Sequence, residues 1–149
     1  MRFPVLILLV VALSIAACGN STTAPSTTTT TPVAVTERFD AIIDLKASSF
    51  HPFSVNGSGG TVSINLASLS PLNRAGLLPV AMQIGYGTVV TDADGNPTGC
   101  DLKKTIQAAP ALTAQLTDTV TVATNYCASI ADIGNLREPA NFSMRITHP

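Results

Sequence analysis

The chain has 149 residues and a formal net charge of −1, with 11% charged and 46% hydrophobic residues. All nine acidic residues and seven of the eight basic ones follow Thr36, so no basic surface exists for nucleic acid or an anionic membrane. Abundant Thr, Ser, Ala, Val and Ile describe an exported β-protein rather than a cytosolic helical one.

Residues 1–17 read as a lipoprotein signal peptide. Arg2 supplies a positive start, Val5 to Ile15 is an apolar run broken only by Ser14, and the segment closes on Ile15-Ala16-Ala17-Cys18. Small residues before Cys18 suit a peptidase groove, and its thiol is the expected site of lipidation, the diacylglyceryl and palmitate-type chains of a lipoprotein. The run is too short for a comfortable transmembrane helix and ends in a polar Gly-Asn-Ser-Thr stretch. Gly19 rather than an aspartate follows Cys18, which directs the protein to the outer membrane where a cell has two.

Residues 18–36 form a Ser/Thr/Pro linker. Ser21 to Pro32 holds no large apolar group, so it cannot bury enough surface to offset its ordering entropy, and a disordered stalk is expected. Its hydroxyls also offer O-glycosylation sites, although an unmodified spacer is the simpler reading.

From residue 37 to 149 the hydrophobic period is two. Phe39, Ala41, Ile43 and Leu45 alternate with polar or opposite-facing neighbours, and Phe53 and Val55 follow the Phe50-His51-Pro52 corner. Val62, Ile64 and Leu66 repeat the pattern, as do Leu78 to Ile84, Leu112 to Leu116 and Phe142 to Ile146. Turn clusters lie at Asn56 to Gly60, Asp92 to Pro97 and Ala123 to Asn125; Leu72 to Leu77 is the single helical candidate, at most a turn. Short strands at this spacing predict an all-β, two-sheet antiparallel sandwich in one domain.

With Cys18 reserved for lipid, Cys100 and Cys127 form the expected disulfide of an exported protein. On the strand containing Tyr126, Ala128 and Ile130, a core-facing Tyr126 places Cys127 outward, toward Cys100 on an adjacent segment, so the bond is expected to staple two segments across the sheet surface or edge.

Gly59 to Leu66, then Ser68-Leu69-Ser70-Pro71, resemble the second half of the pre-peptidase C-terminal (PPC) domain pattern. There a glycine turn leads into an alternating Val/Leu strand after an aromatic-bearing one, here Phe50 and Phe53. Tyr126-Cys127, Asp132 to Asn135 and Phe142 to Pro149 are similar to a variant of that fold found in secreted and lipid-anchored bacterial proteins. The resemblance implies a jelly-roll-like sandwich over residues 37–149, used as an accessory module for substrate or matrix binding.

Chemistry-bearing residues are few. Asp92-Ala93-Asp94-Gly95-Asn96 offers oxygens for calcium, but glycine is not at the sixth position and Lys103 stands at the twelfth, so a hairpin turn is preferred. His51 and His148 are the only imidazoles, and no Gly-x-Ser-x-Gly elbow, His-Glu-x-x-His helix or phosphate loop accompanies them. Asp132, Asn135 and Arg137 form a polar loop able to hydrogen-bond a sugar or peptide end, against the plainer reading of a turn and a solvated pair. Tyr86 and Tyr126 are the only tyrosines and tryptophan is lacking, which weakens a sugar platform. The expected protein is a non-catalytic, lipid-anchored envelope module with no cofactor and no metal. Its expected partners are the membrane, through its lipid, and a glycan, matrix or protein ligand. A sensing or accessory subunit, or an enzyme of unfamiliar type, is the alternative.

Overall fold

A computed structural model describes residues 33–149; the signal segment, Cys18 and most of the linker lie outside the described residues. Eight strands follow in order: β1 Val35–Ile43, β2 Ser48–Val55, β3 Gly60–Pro71, β4 Met82–Thr91, β5 Pro97–Ala108, β6 Leu116–Val120, β7 Thr124–Ala131 and β8 Ala140–His148. They form two antiparallel four-stranded sheets, ordered β1-β8-β3-β6 and β2-β7-β4-β5.

Within these sheets β1 pairs with β8, β2 with β7, β3 with β6 and β4 with β5. Those are the pairings of one long antiparallel hairpin. Rolling it up makes β8 a neighbour of β3, and β7 a neighbour of β4, which completes a jelly roll.

Alternation decides which residues fill the space between the sheets. Ile84 and Tyr86 of β4 face Tyr126, Ala128 and Ile130 of β7 on one inner wall, and Met144 and Ile146 of β8 join Ile64 and Leu66 of β3 on the other. A bulge between Leu66 and Ser68 resets the period, so Leu69 is buried again three residues after Leu66.

The period-two reading overextends at three places. Leu45 lies past the end of β1 and is largely exposed, because the chain turns at Lys46, whose φ is 56°. Leu78 and Val80 precede β4 in a loop, yet pack against the core. Leu112 and Ala114 lie outside any strand, and Leu112 is 98% exposed. Pro110 cannot donate to a ladder, and Asn65 instead clamps the segment by donating from Nδ2 to the Ala111 and Thr113 carbonyls at 2.6 and 2.9 Å. Leu72 to Leu77 forms no helix, and the turn placed at Ala123 to Asn125 lies earlier, since β7 already begins at Thr124.

One strand leaves the regular layer. β5 leans over the outer face of β4, where Gly85 and Gly87 carry no side chain. A Cβ on Gly87 would fall on the Asp101 backbone carbonyl, and one on Gly85 would come within 2.7 Å of the Lys104 carbonyl oxygen. A bulge at Tyr86/Gly87 accompanies the shift. Cys100 of β5 can thereby reach Cys127 of β7, with a Cα–Cα distance of 5.8 Å, although β4 separates those strands in the sheet. The disulfide therefore staples two segments across the sheet face, as an outward Cys127 implies, but the two strands are not neighbours, since β4 lies between them. On the chain-entropy model a loop of this length adds about 3–4 kcal/mol.

Gly87→Ala should therefore destabilise the domain by about 1–3 kcal/mol through overpacking against backbone. Gly57→Ala is the control, because nothing lies within 4 Å of its added methyl group and only the cost of its positive φ remains. Urea unfolding of both variants checks this; equal midpoints would contradict the close approach of β5.

Candidate functional site

The two histidines meet on one carboxylate. Glu37, on the inner face of β1 one pair beyond Phe39, lies with Oε2 2.8 Å from His51 Nε2 of β2 and Oε1 3.0 Å from His148 Nε2 of β8. His148 is 4% exposed, and its ring lies 4.9 Å from that of Phe53, while His51 stacks on Phe39 at 5.2 Å. Burial pushes the Glu37 carboxyl up, but hydrogen bonds from both imidazoles and their charge outweigh it, holding the group below its ordinary 4.5. This cluster joins β1 and β8 of one sheet to β2 of the other. Sequence spacing hid it, although the alternation that sends Phe39 inward sends Glu37 inward too.

A second bridge joins the sheets at the opposite edge. The Tyr86 hydroxyl of β4 donates to Asp118 Oδ2 of β6 at 2.8 Å, and Lys104 of β5 lies 3.5 Å from the same oxygen. Burial, then the neighbouring Asp118 carboxylate, pushes Tyr86 up to about 12. The hydrogen bond from Tyr86, followed by the Thr119 amide, holds Asp118 below the usual carboxylate range. Neither tyrosine is a surface platform, since Tyr86 and Tyr126 are both buried.

In the loop before β8, Asp132 organises the turn rather than facing solvent. Its Oδ1 accepts from the Gly134, Asn135 and Leu136 amides and its Oδ2 from the Lys46 amide, at 2.8–3.1 Å. Burial raises the Asp132 carboxyl, and these backbone donors more than reverse that, so its pKa is lowered. Asn135 Nδ2 donates to the Ala81 carbonyl at 2.7 Å, and Glu138 pairs with Arg74 at 2.6 Å. Arg137 is exposed, beside a small pocket of about 70 Å³ under the loop. At the β4–β5 hairpin, Asp92 Oδ1 accepts from the Asp94 and Asn96 amides and Oδ2 from Asn96 Nδ2, an Asx-type turn. Among the described residues no three His, Cys, Asp or Glu side chains are arranged to hold a metal ion.

A lined recess lies on the outer face of the β2-β7-β4-β5 sheet. A groove of about 380 Å³ runs between β2 and the overhanging start of β5. One register row crosses it on all four strands: Phe50, Ser129, Gly85 and Thr105. Small residues in the middle and larger ones at the sides make a flat sheet concave. Thr98, Gly99 and Cys100 form the overhang, held by the disulfide to Cys127.

No family model matches the chain, and no curated protein does. A chain from a solved structure of Bacillus endospore appendages, described as a novel family of disulfide-linked pili, is similar at 13% identity. The alignment covers 77% of this chain and 87% of that one, with a TM-score of 0.31, too loose a likeness to carry an argument about function.

The Glu37 bridge gives a pH dependence with a definite sign. A carboxyl whose folded pKa is lowered stabilises fully above its ordinary value, and that contribution is lost as pH falls through the folded value. The urea midpoint should hold above about pH 5.5 and fall as pH drops below it. Glu37→Gln should start from a lower midpoint and show a shallower drop, the remainder coming from the other lowered carboxylates, Asp40, Asp92, Asp118 and Asp132; an unchanged slope would remove Glu37 from the bridge.

Proposed function

We propose that this chain is a non-catalytic binding or structural module, lipid-anchored at Cys18 and holding a jelly-roll sandwich (residues 37–149) on a Thr-rich stalk in the cell envelope. The observation that carries the reading is the engagement of its chemistry-bearing side chains. Glu37, His51 and His148 tie one sandwich edge, Tyr86 and Asp118 tie the other, and Asp132 holds a loop. Groups so engaged hold the fold; a general base must instead reach a substrate proton. The likeness of residues 37–149 to PPC domains serves as an analogy for an accessory module whose outer surface does the recognising. Arg137 is the member of the Asp132–Arg137 loop still available to a ligand.

The anchor and the non-catalytic reading are tested together in cells. Wild-type protein should partition into detergent, incorporate labelled acyl chains and resist high-salt extraction, since each buried methylene adds about 0.8 kcal/mol. Cys18→Ala should be unlabelled and either retain its signal segment or be released. A His51→Gln, His148→Gln double variant should lose stability but keep its ligand binding. Unlabelled, fully processed wild-type protein would overturn the anchor; loss of an enzymatic turnover in the double variant would overturn the rest.

A further inference from the structure

We propose that the outer-face groove between β2 and β5 is a binding site for a neutral carbohydrate, an inference that rests on the binding-module reading and names its ligand. Its lining is polar without being charged. Ser48, Gln83, Thr98, Thr105 and Ser129 contribute hydroxyls and an amide, and no ionisable side chain lines it.

Ser129 is the telling residue. It is 8% exposed, its hydroxyl has no hydrogen-bond partner among the described residues, and it sits on the groove floor. No fully buried polar side-chain atom lacks a partner among those residues. The hydroxyl is therefore open to the groove, unlike those engaged within the fold, such as Ser54 with Asn125. It is thus a hydroxyl on the groove floor that can exchange its water for a ligand's hydrogen bond.

Shape and chemistry select the class of occupant. The floor is formed by β7 and β4, central strands paired on both sides, so a peptide cannot add to it through a backbone ladder. An anion or cation would meet no countercharge. A sugar presents alternating hydroxyls and an apolar ring face, which match the Ser, Thr and Gln side chains and the Phe50 ring across the same register row. The volume lies at the lower end of small-ligand sites. The disulfide makes the site conditional on oxidation, because it holds Cys100 and the flanking Gly99 and Thr98 over the floor.

The test uses the full chain purified in detergent on an array of neutral glycans, with acidic polysaccharide and an extended peptide as comparison probes. Hits are followed by calorimetric titration. A neutral glycan should bind, with Ser129→Val and Phe50→Ala each weakening it about five- to tenfold or more. Ser129→Ala, which leaves no bulk in the groove, should weaken it less, and Arg145→Ala, at an exposed position on the other sheet, should leave it unchanged. Cys100→Ser or reductant should weaken binding while circular dichroism still reports the sandwich. Overturning results are no neutral glycan bound, binding indifferent to Ser129→Val and Phe50→Ala, or preference for the peptide or the acidic polymer. Glycan binding lost to Arg137→Ala but not to the groove variants would sink the groove and spare the binding module. Glycan cleavage, seen as released product, would sink the module reading itself.

Discussion

Everything distinctive about this sandwich depends on how closely β5 can approach β4. Two residues decide it. Gly85 and Gly87 lie on the outer face of β4, and their missing side chains are the space into which the backbone of β5 settles. That settlement brings Cys100 within bonding distance of Cys127 across an intervening strand, and turns the first part of β5 into an overhang. Remove the space and the hairpin returns to the plane of its sheet. The disulfide then has a wider gap to span, and the wall of the groove that it holds is displaced.

The two halves of the roll meet through apolar packing in the middle and through hydrogen-bonded charge at both edges. Glu37 with two imidazoles closes the β1/β2 side, and Asp118 with Tyr86 and Lys104 closes the β5/β6 side. Apolar contact between sheets is tolerant of sliding, because it has little directionality. Hydrogen bonds at the margins fix the alignment of one sheet on the other, at the cost of partly desolvating a carboxylate. The outer grooved face keeps its shape because the layer beneath it is pinned in this way.

Much of the architecture was legible from alternation alone: Phe39, Ala41 and Ile43, Val62 to Leu66, and Phe142 to Ile146 all lie in strands with those side chains inward. The reading failed where alternation continued past a strand's end, as at Leu45 and Leu112. β5 was missed because it is an edge strand rich in Lys, Asp and Thr, with little burial to pattern it. The disulfide partners followed from cysteine count, but the span across β4 did not, since nothing in one dimension says that two glycines lie beneath a neighbouring backbone. The Glu37 cluster was accessible in principle, as a lone carboxylate two residues before Phe39 on a core-facing row. The groove was not: Phe50, Ser129, Gly85 and Thr105 are far apart in the chain and become a row only through pairing register.

The position of β1 has a mechanical consequence. It is an edge strand, bonded along its length to β8 alone, and its register starts with Val35 against His148. Tension on the chain ahead of Val35 loads that edge from one end, so the backbone pairs open in sequence, as a zipper does, rather than shearing together. After the hydroxyl contact of Thr36 with Thr147, the first side-chain contact to engage both layers lies two residues in, where Glu37 grips both a strand of its own sheet and one of the opposite sheet. Force entering there is divided between the two layers before it reaches the apolar interior.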